Sequence, residues 1–176
     1  PDLNTRYAMN VAETASTFAE TIISAATVRE ANSDEEKISL LNTKLENATA
    51  MFLKIHARYL FEKPFYTERM NGFVTADRLS GLMEAAQKEA YQGALSDYHP
   101  LFWASKLHFF IDDVPFYNFP YTFGFLFSLG IYAQSMKQTG NFEETYISLL
   151  RDTGSMTTED LVMKHLGADI TQPDFW

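Results

Sequence analysis

Between Tyr7 and Val28 the only charged side chains are Glu13 and Glu20, seven residues apart. On a helix, two turns bring both carboxylates to nearly one face, roughly opposite Val11, Phe18 and Ile22. The ordinary reading is a solvated face. Such a face usually mixes Lys or Arg with its acids, whereas the companions here are Ser16, Thr17, Ser24, Thr27 and several alanines. A helix that is small or apolar nearly all round is expected to be buried on both sides. Buried carboxylates without neighbouring bases call for a metal, a shared proton or a partner cation, because an isolated buried charge is costly.

The second stretch that could do chemistry runs from Leu101 to Tyr132, where twelve of thirty-two residues are aromatic and His108, Asp112 and Asp113 are embedded among them. Most of those rings serve a core. Tyr117 and Tyr121 differ, because a buried phenol must find a partner or donate to a ligand, and Phe would suffice for packing alone. Four apart, they share a face if the segment is helical. His108, before Phe109 and Phe110, reads either as a satisfied core histidine or as a working one. No Glu-x-x-His pair occurs, which removes the di-iron bundle signature. His-Glu-x-x-His, Gly-x-Ser-x-Gly and a phosphate-cradling glycine loop are absent too.

The elements that must hold these residues read as helices, and the fold class is all-α: a multi-helix bundle. Val11, Ala15, Phe18, Ile22 and Ala25 follow helical spacing, with Asn10 as the expected N-cap. Ser33 and Glu36 form a capping-box pattern before the stripe Ile38, Leu41, Leu45, Ala48, Phe52, Ile55, Tyr59, a packing seam in steps of three and four. Phe61 to Phe73, with Pro64 and Gly72, reads as an irregular connection. Thr75 and Asp77 then open a helix to about Tyr91, and a fourth is expected over Leu101 to Ile111. A fifth and apolar one occupies Pro115 to Gln138, with Pro120 as a kink or a first turn. Asn141 caps a short helix to Leu150. Thr157 with Asp160 opens the last helix, which Gly167 stops.

The chain has 176 residues, 46% of them hydrophobic and 21% charged, enough for one domain with a sizeable core. A net charge of −9 and a pI near 4.8 leave no basic field for phosphate backbones, so nucleic acid is not an expected partner. No cysteine occurs, which excludes a thiolate metal site and suits a reducing, cytoplasmic compartment. No charged residue lies between Asp113 and Lys137, but Asn118, Pro120, Gly124, Ser128 and Gly130 interrupt that run. It reads as a helix buried in protein, with no membrane partner.

Four segments carry a resemblance: Val11-Ala-Glu-Thr-Ala-Ser-Thr-Phe-Ala-Glu20, Phe61-Glu-Lys-Pro-Phe-Tyr-Thr-Glu-Arg69, His108-Phe-Phe followed by Pro115-Phe-Tyr-Asn-Phe-Pro-Tyr121, and Gly167-Ala-Asp-Ile-Thr-Gln-Pro-Asp-Phe-Trp176. In this order and with these intervals the chain resembles the C-terminal part of an oligoendopeptidase F, in the thimet oligopeptidase-like zinc metallopeptidases. The resemblance covers residues 1–176 and implies that they are the C-terminal half of a helical, zincin-like catalytic domain. It implies zinc as cofactor, Glu13 as the third metal ligand, and Glu20 as an acid that orients a ligating histidine. His108, Tyr117 and Tyr121 would be donors to the substrate backbone and the developing oxyanion.

The sequence lacks the family's His-Glu-x-x-His, which supplies two ligands and the general base. The resemblance therefore places those, with an N-terminal helical lobe, upstream. The expected partners are an oligopeptide substrate and the missing N-terminal part of the same protein. The piece alone is expected to be inactive and prone to self-association. The rival reading is a non-enzymatic all-α interaction module derived from a peptidase-like fold.

Overall fold

The computed structural model describes residues 6–137 and 140–176. Among them are seven α-helices and no strand: α1 Thr14–Glu30, α2 Asp34–Thr49, α3 Ile55–Met70, α4 Ala76–Ala90, α5 Phe119–Lys137, α6 Phe142–Asp152 and α7 Thr158–Leu166. The protein is all-α. No helix among the described residues is long and apolar enough to cross a membrane. The chain divides into two compact units, one of Pro1–Asn42 with Phe123–Trp176 and the other of Thr43–Thr122.

Several boundaries follow local chemistry. Ser33 Oγ accepts from Glu36 N at 3.1 Å, and the Glu36 carboxylate reaches back to Asn32 N at 2.7 Å. Thr75 Oγ1 caps α4 through Arg78 N, and Thr157 Oγ1 caps α7 through Asp160 N, each at 3.2 Å. Gly167, at φ +63°, ends α7 with its N–H on Met163 O, a left-handed stop that suits glycine. Pro120 lies in the first turn of α5, where its missing N–H costs nothing. The expected end of that helix at Gln138 falls outside the described residues. Helix α6 starts after Asn141 as expected, though Asn141 makes no side-chain cap bond.

Other boundaries differ from the sequence reading. Residues 61–70 are helical, with Pro64 inside α3. An interior proline costs about 3 kcal/mol, but Phe61 is fully buried and stacks on Phe65 at 5.4 Å, so core packing outweighs the break. Residues 101–111 are not an α-helix. They form two 3-10 turns, Phe102–Ser105 and Leu107–Phe110, separated by extended Lys106. Phe102, Trp103 and Phe109 all pack on the core of the second unit. Asn10 sits in a 3-10 turn instead of capping α1, and its Oδ1 accepts from Thr158 Oγ1 at 3.3 Å. The α2 seam is not buried within this chain: Ile38 and Leu45 are 67% and 68% exposed. A stripe at helical spacing specifies a face, not what covers it.

In the first unit, Val11, Phe18, Phe127, Ile131 and Val162 form the core, with Phe18 against Tyr146 at 4.3 Å. The buried face of α1 is Thr14, Thr17, Phe18 and Thr21, while Ala15 and Ile22 of the expected stripe are exposed. The threonines meet α5 through hydroxyls. Thr17 Oγ1 lies 2.6 Å from Ser128 Oγ and 3.0 Å from Gly124 O, and Ser128 Oγ donates to Thr14 O at 3.1 Å. A Cβ on Gly124 would stand 3.1 Å from the Glu13 backbone carbon, so glycine sets how closely the two segments approach. The chain end seats on α5 in the same way, because a Cβ on Gly130 would meet the Phe175 ring at 2.6 Å. In the second unit, α3 and α4 enclose Phe61, Leu82, Met83 and Ala86.

Candidate functional site

The two carboxylates singled out in the sequence lie in the first unit. Glu13 occupies the N-cap position of α1 and is half-buried; Glu20, two turns on, is exposed. Within this chain α1 is therefore not covered on both sides, contrary to the expectation drawn from its small side chains. Glu13 is fixed from its backbone: its carbonyl accepts from Thr17 N at 3.1 Å, and Ser16 Oγ donates to the same oxygen at 3.0 Å. Ser16 Oγ is also 3.4 Å from Glu13 Oε2. Among the described residues no group of three or more His, Cys, Asp or Glu is placed to hold a metal. The donor set thus fits zinc only as one carboxylate ligand of several.

The second unit brings His108, Tyr117 and Tyr121 together. His108 Nε2 and Tyr121 OH are 3.1 Å apart, a hydrogen bond whose direction depends on the tautomer. The His108 ring lies nearly parallel to Tyr117 at 6.2 Å and edge-on to Tyr121 at 5.8 Å. The two tyrosines meet edge to face at 5.9 Å. Tyr117 precedes α5 and Tyr121 lies in its first turn, so the pair does not share a helical face. A tight turn delivers Tyr117 instead. Asn118 N–H donates to Phe116 O at 2.7 Å across it, and Phe116 adopts φ +64°. That conformation is unfavourable for a residue with a Cβ. The Phe116 ring is held edge-on by Tyr66 at 4.8 Å and meets Tyr59 at a tilt at 6.1 Å, both on α3.

Behind this turn lie residues the sequence reading did not single out. Asn118 is fully buried, and its Oδ1 accepts from Arg58 Nη1 at 3.1 Å. Arg58 is itself only 8% exposed. Glu62, one turn along α3, is completely buried, and neither carboxylate oxygen closes a hydrogen bond of normal geometry. Burial pushes its carboxyl up to about 7, opposed by the Asn118 amide, the Arg58 guanidinium and the Phe116 backbone, which face it without meeting that geometry. Burial also lowers Arg58 from its ordinary value, partly offset by Tyr121 and Glu62. The available signal was the four-residue spacing of Arg58 and Glu62 within an aromatic run. Reading residues 61–73 as irregular hid it.

The half-buried Glu13 carboxylate thus lies in one unit and the His108, Tyr117 and Tyr121 cluster in the other. The chain belongs to peptidase family M3, whose family description matches residues 1–176, in agreement with the resemblance carried by the four segments. Among curated relatives it is similar to the chromosomal oligoendopeptidase F of Lactococcus lactis subsp. cremoris. The two are 24% identical over 172 residues, which is 96% of this chain and 28% of that protein. The chain thus spans less than a third of that relative's length. No solved structure matches it.

Proposed function

We propose that this chain acts as part of a zinc-dependent endopeptidase that hydrolyses oligopeptides, in a cytoplasmic setting, and is inactive without the rest of that protein. Glu13 is the third metal ligand and Glu20 a carboxylate that orients a ligating histidine; the other two ligands and the general base come from the remainder of the protein. The metal, when bound, supplies Lewis-acid polarisation of the scissile carbonyl and an acidified water. Seating Glu13 at the N-cap, with its backbone locked by Thr17 and Gly124, fixes where its carboxylate can reach.

His108, Tyr117 and Tyr121 supply donors for the peptide. The observation that carries this reading is the 3.1 Å contact between His108 and Tyr121. It fixes the phenol and the imidazole against each other, so that a donor can be aimed at the charge developing on the carbonyl oxygen without reorganising. Tyr117, held by the strained turn at Phe116, presents a second hydroxyl. A preorganised donor of this kind contributes mainly in the transition state.

The test uses the protein that carries this chain. Tyr121→Phe or Tyr117→Phe keeps ring and packing, and at least one should lower turnover about 100-fold to 1000-fold with zinc content unchanged. Glu13→Gln should lower zinc content along with activity, because an amide is a poorer ligand. Near-normal turnover in both tyrosine variants with zinc bound would remove this segment from catalysis. The exposed α2 face, with Ile38, Leu41 and Leu45 uncovered, favours one alternative, a non-enzymatic interaction module that would retain its partners but cleave no peptide. As a separate piece the chain should self-associate through such uncovered apolar faces, which sedimentation at rising concentration would register.

A further inference from the structure

Three cations crowd around one aromatic ring in the second unit. Lys106 Nζ lies 4.7 Å from the centroid of Phe102, Arg58 Cζ 5.7 Å and Lys54 Nζ 6.0 Å. In a chain of net charge −9 this is a local excess of positive charge. Among the described residues, none of the ion pairs within 4 Å engages any of the three. Lys106 is pushed below its ordinary value, first by partial burial and then by Arg58 and Lys54, so the three charges oppose one another.

Arg58 sharpens the point. It is 8% exposed, Nη1 is committed to Asn118, and its buried Nε has no hydrogen-bond acceptor among the described residues. Glu62, an acid beside it, has its carboxyl pushed up to about 7 by burial and closes no ion pair with it among the described residues. A ring face weakly offsets the crowding, but an anion would offset it far better. The cluster adjoins the donors already described: Lys106 is two residues before His108, and Arg58 interacts electrostatically with Tyr121.

Resting on the oligopeptidase reading above, we propose that Lys54, Arg58 and Lys106 form a carboxylate subsite for the peptide substrate, and that it takes the free C-terminal carboxylate. Every oligopeptide carries that group whatever its sequence, whereas acidic side chains are sporadic. The subsite would favour short peptides whose end lies near the cleaved bond. Two flexible ammonium groups and a braced guanidinium give charge-assisted contacts to a planar anion.

The experiment uses the protein that carries this chain and N-terminally labelled peptides in matched pairs. One pair differs by a free carboxylate or an amide at the C-terminus; a second, amidated pair differs by an internal Glu or Gln. Binding is read by fluorescence anisotropy and cleavage by chromatography. The free acid should bind about tenfold more tightly than its amide, and added salt should narrow the gap. In Lys54→Ala/Lys106→Ala the difference between acid and amide should collapse; Lys54→Arg/Lys106→Arg should keep it. Equal binding of acid and amide by the unmodified protein, or a preference that persists in the alanine variant, overturns the subsite while leaving the peptidase reading intact. A preference seen only in the Glu/Gln pair overturns the terminal assignment. Failure to bind or cleave any of these peptides overturns the peptidase reading, and the subsite with it. The acid/amide and salt comparisons need no variant, so a misfolded substitution cannot shield the proposal.

Discussion

Replacing Glu62 by Gln tests the buried network behind the tyrosine turn. Gln keeps the side-chain volume and one carbonyl acceptor but cannot ionise. A carboxyl at 4.5 in the unfolded chain and about 7 in the fold corresponds to about 3 kcal/mol against the ionised form. The folded value is the higher one, so the fold binds the proton more tightly. This contribution to stability is fully present below 4.5 and is lost as pH rises through about 7. Between about pH 5 and pH 8 the unmodified chain should lose roughly 2–3 kcal/mol from this group alone. Glu62→Gln should not lose it. Urea unfolding at several pH values gives the answer as the difference between the two proteins, in which other titrating groups cancel. The stability of the variant relative to the parent should rise by that amount between about pH 4.5 and pH 7 and level off above. Parallel pH profiles would show that Glu62 ionises without penalty, and the account of its burial would fall.

Three other substitutions probe the packing that positions the candidate residues. Gly124→Val brings a branched side chain to within 3.1 Å of Glu13, and should cost about 1–3 kcal/mol by overpacking, read as a lower urea midpoint. Thr17→Val is nearly isosteric but deletes the hydroxyl between Ser128 and the Gly124 carbonyl; a loss of about 1–2 kcal/mol is expected from the same measurement. Phe175→Ala empties the ring site over Gly130 and removes the edge contact to Trp176 at 5.1 Å. It should free the chain end, visible as a change in tryptophan emission and faster proteolysis of the last residues.

Helix identity was legible wherever caps and apolar spacing agreed. Ser33, Thr75, Thr157 and Gly167 mark ends that the structure places where the sequence did. Pro64 misled because a local breaker was weighed without the burial of Phe61, a tertiary term invisible to spacing. The 101–111 stretch misled in the opposite sense: it read as one helix, but extended Lys106 splits it into two 3-10 turns. The grouping of His108 with Tyr117 and Tyr121 was anticipated by residue type, yet its geometry depends on a left-handed Phe116 that no residue preference announces. Arg58 and Glu62 were missed because their importance comes from burial against Asn118, sixty residues from Arg58.

The contact between α1 and α5 has a thermal consequence. One part of it is made of threonine and serine hydroxyls around Gly124, and the neighbouring part of Phe18, Phe127 and Ile131. Apolar burial carries the large heat capacity of unfolding and weakens on cooling; hydrogen-bonded contacts between small side chains carry little of it. The two contacts should therefore respond unequally to cold, with the aromatic core softening first. The seat of Glu13, anchored on the hydroxyl side, should then be among the last parts of that unit to lose its amide-exchange protection as the temperature falls.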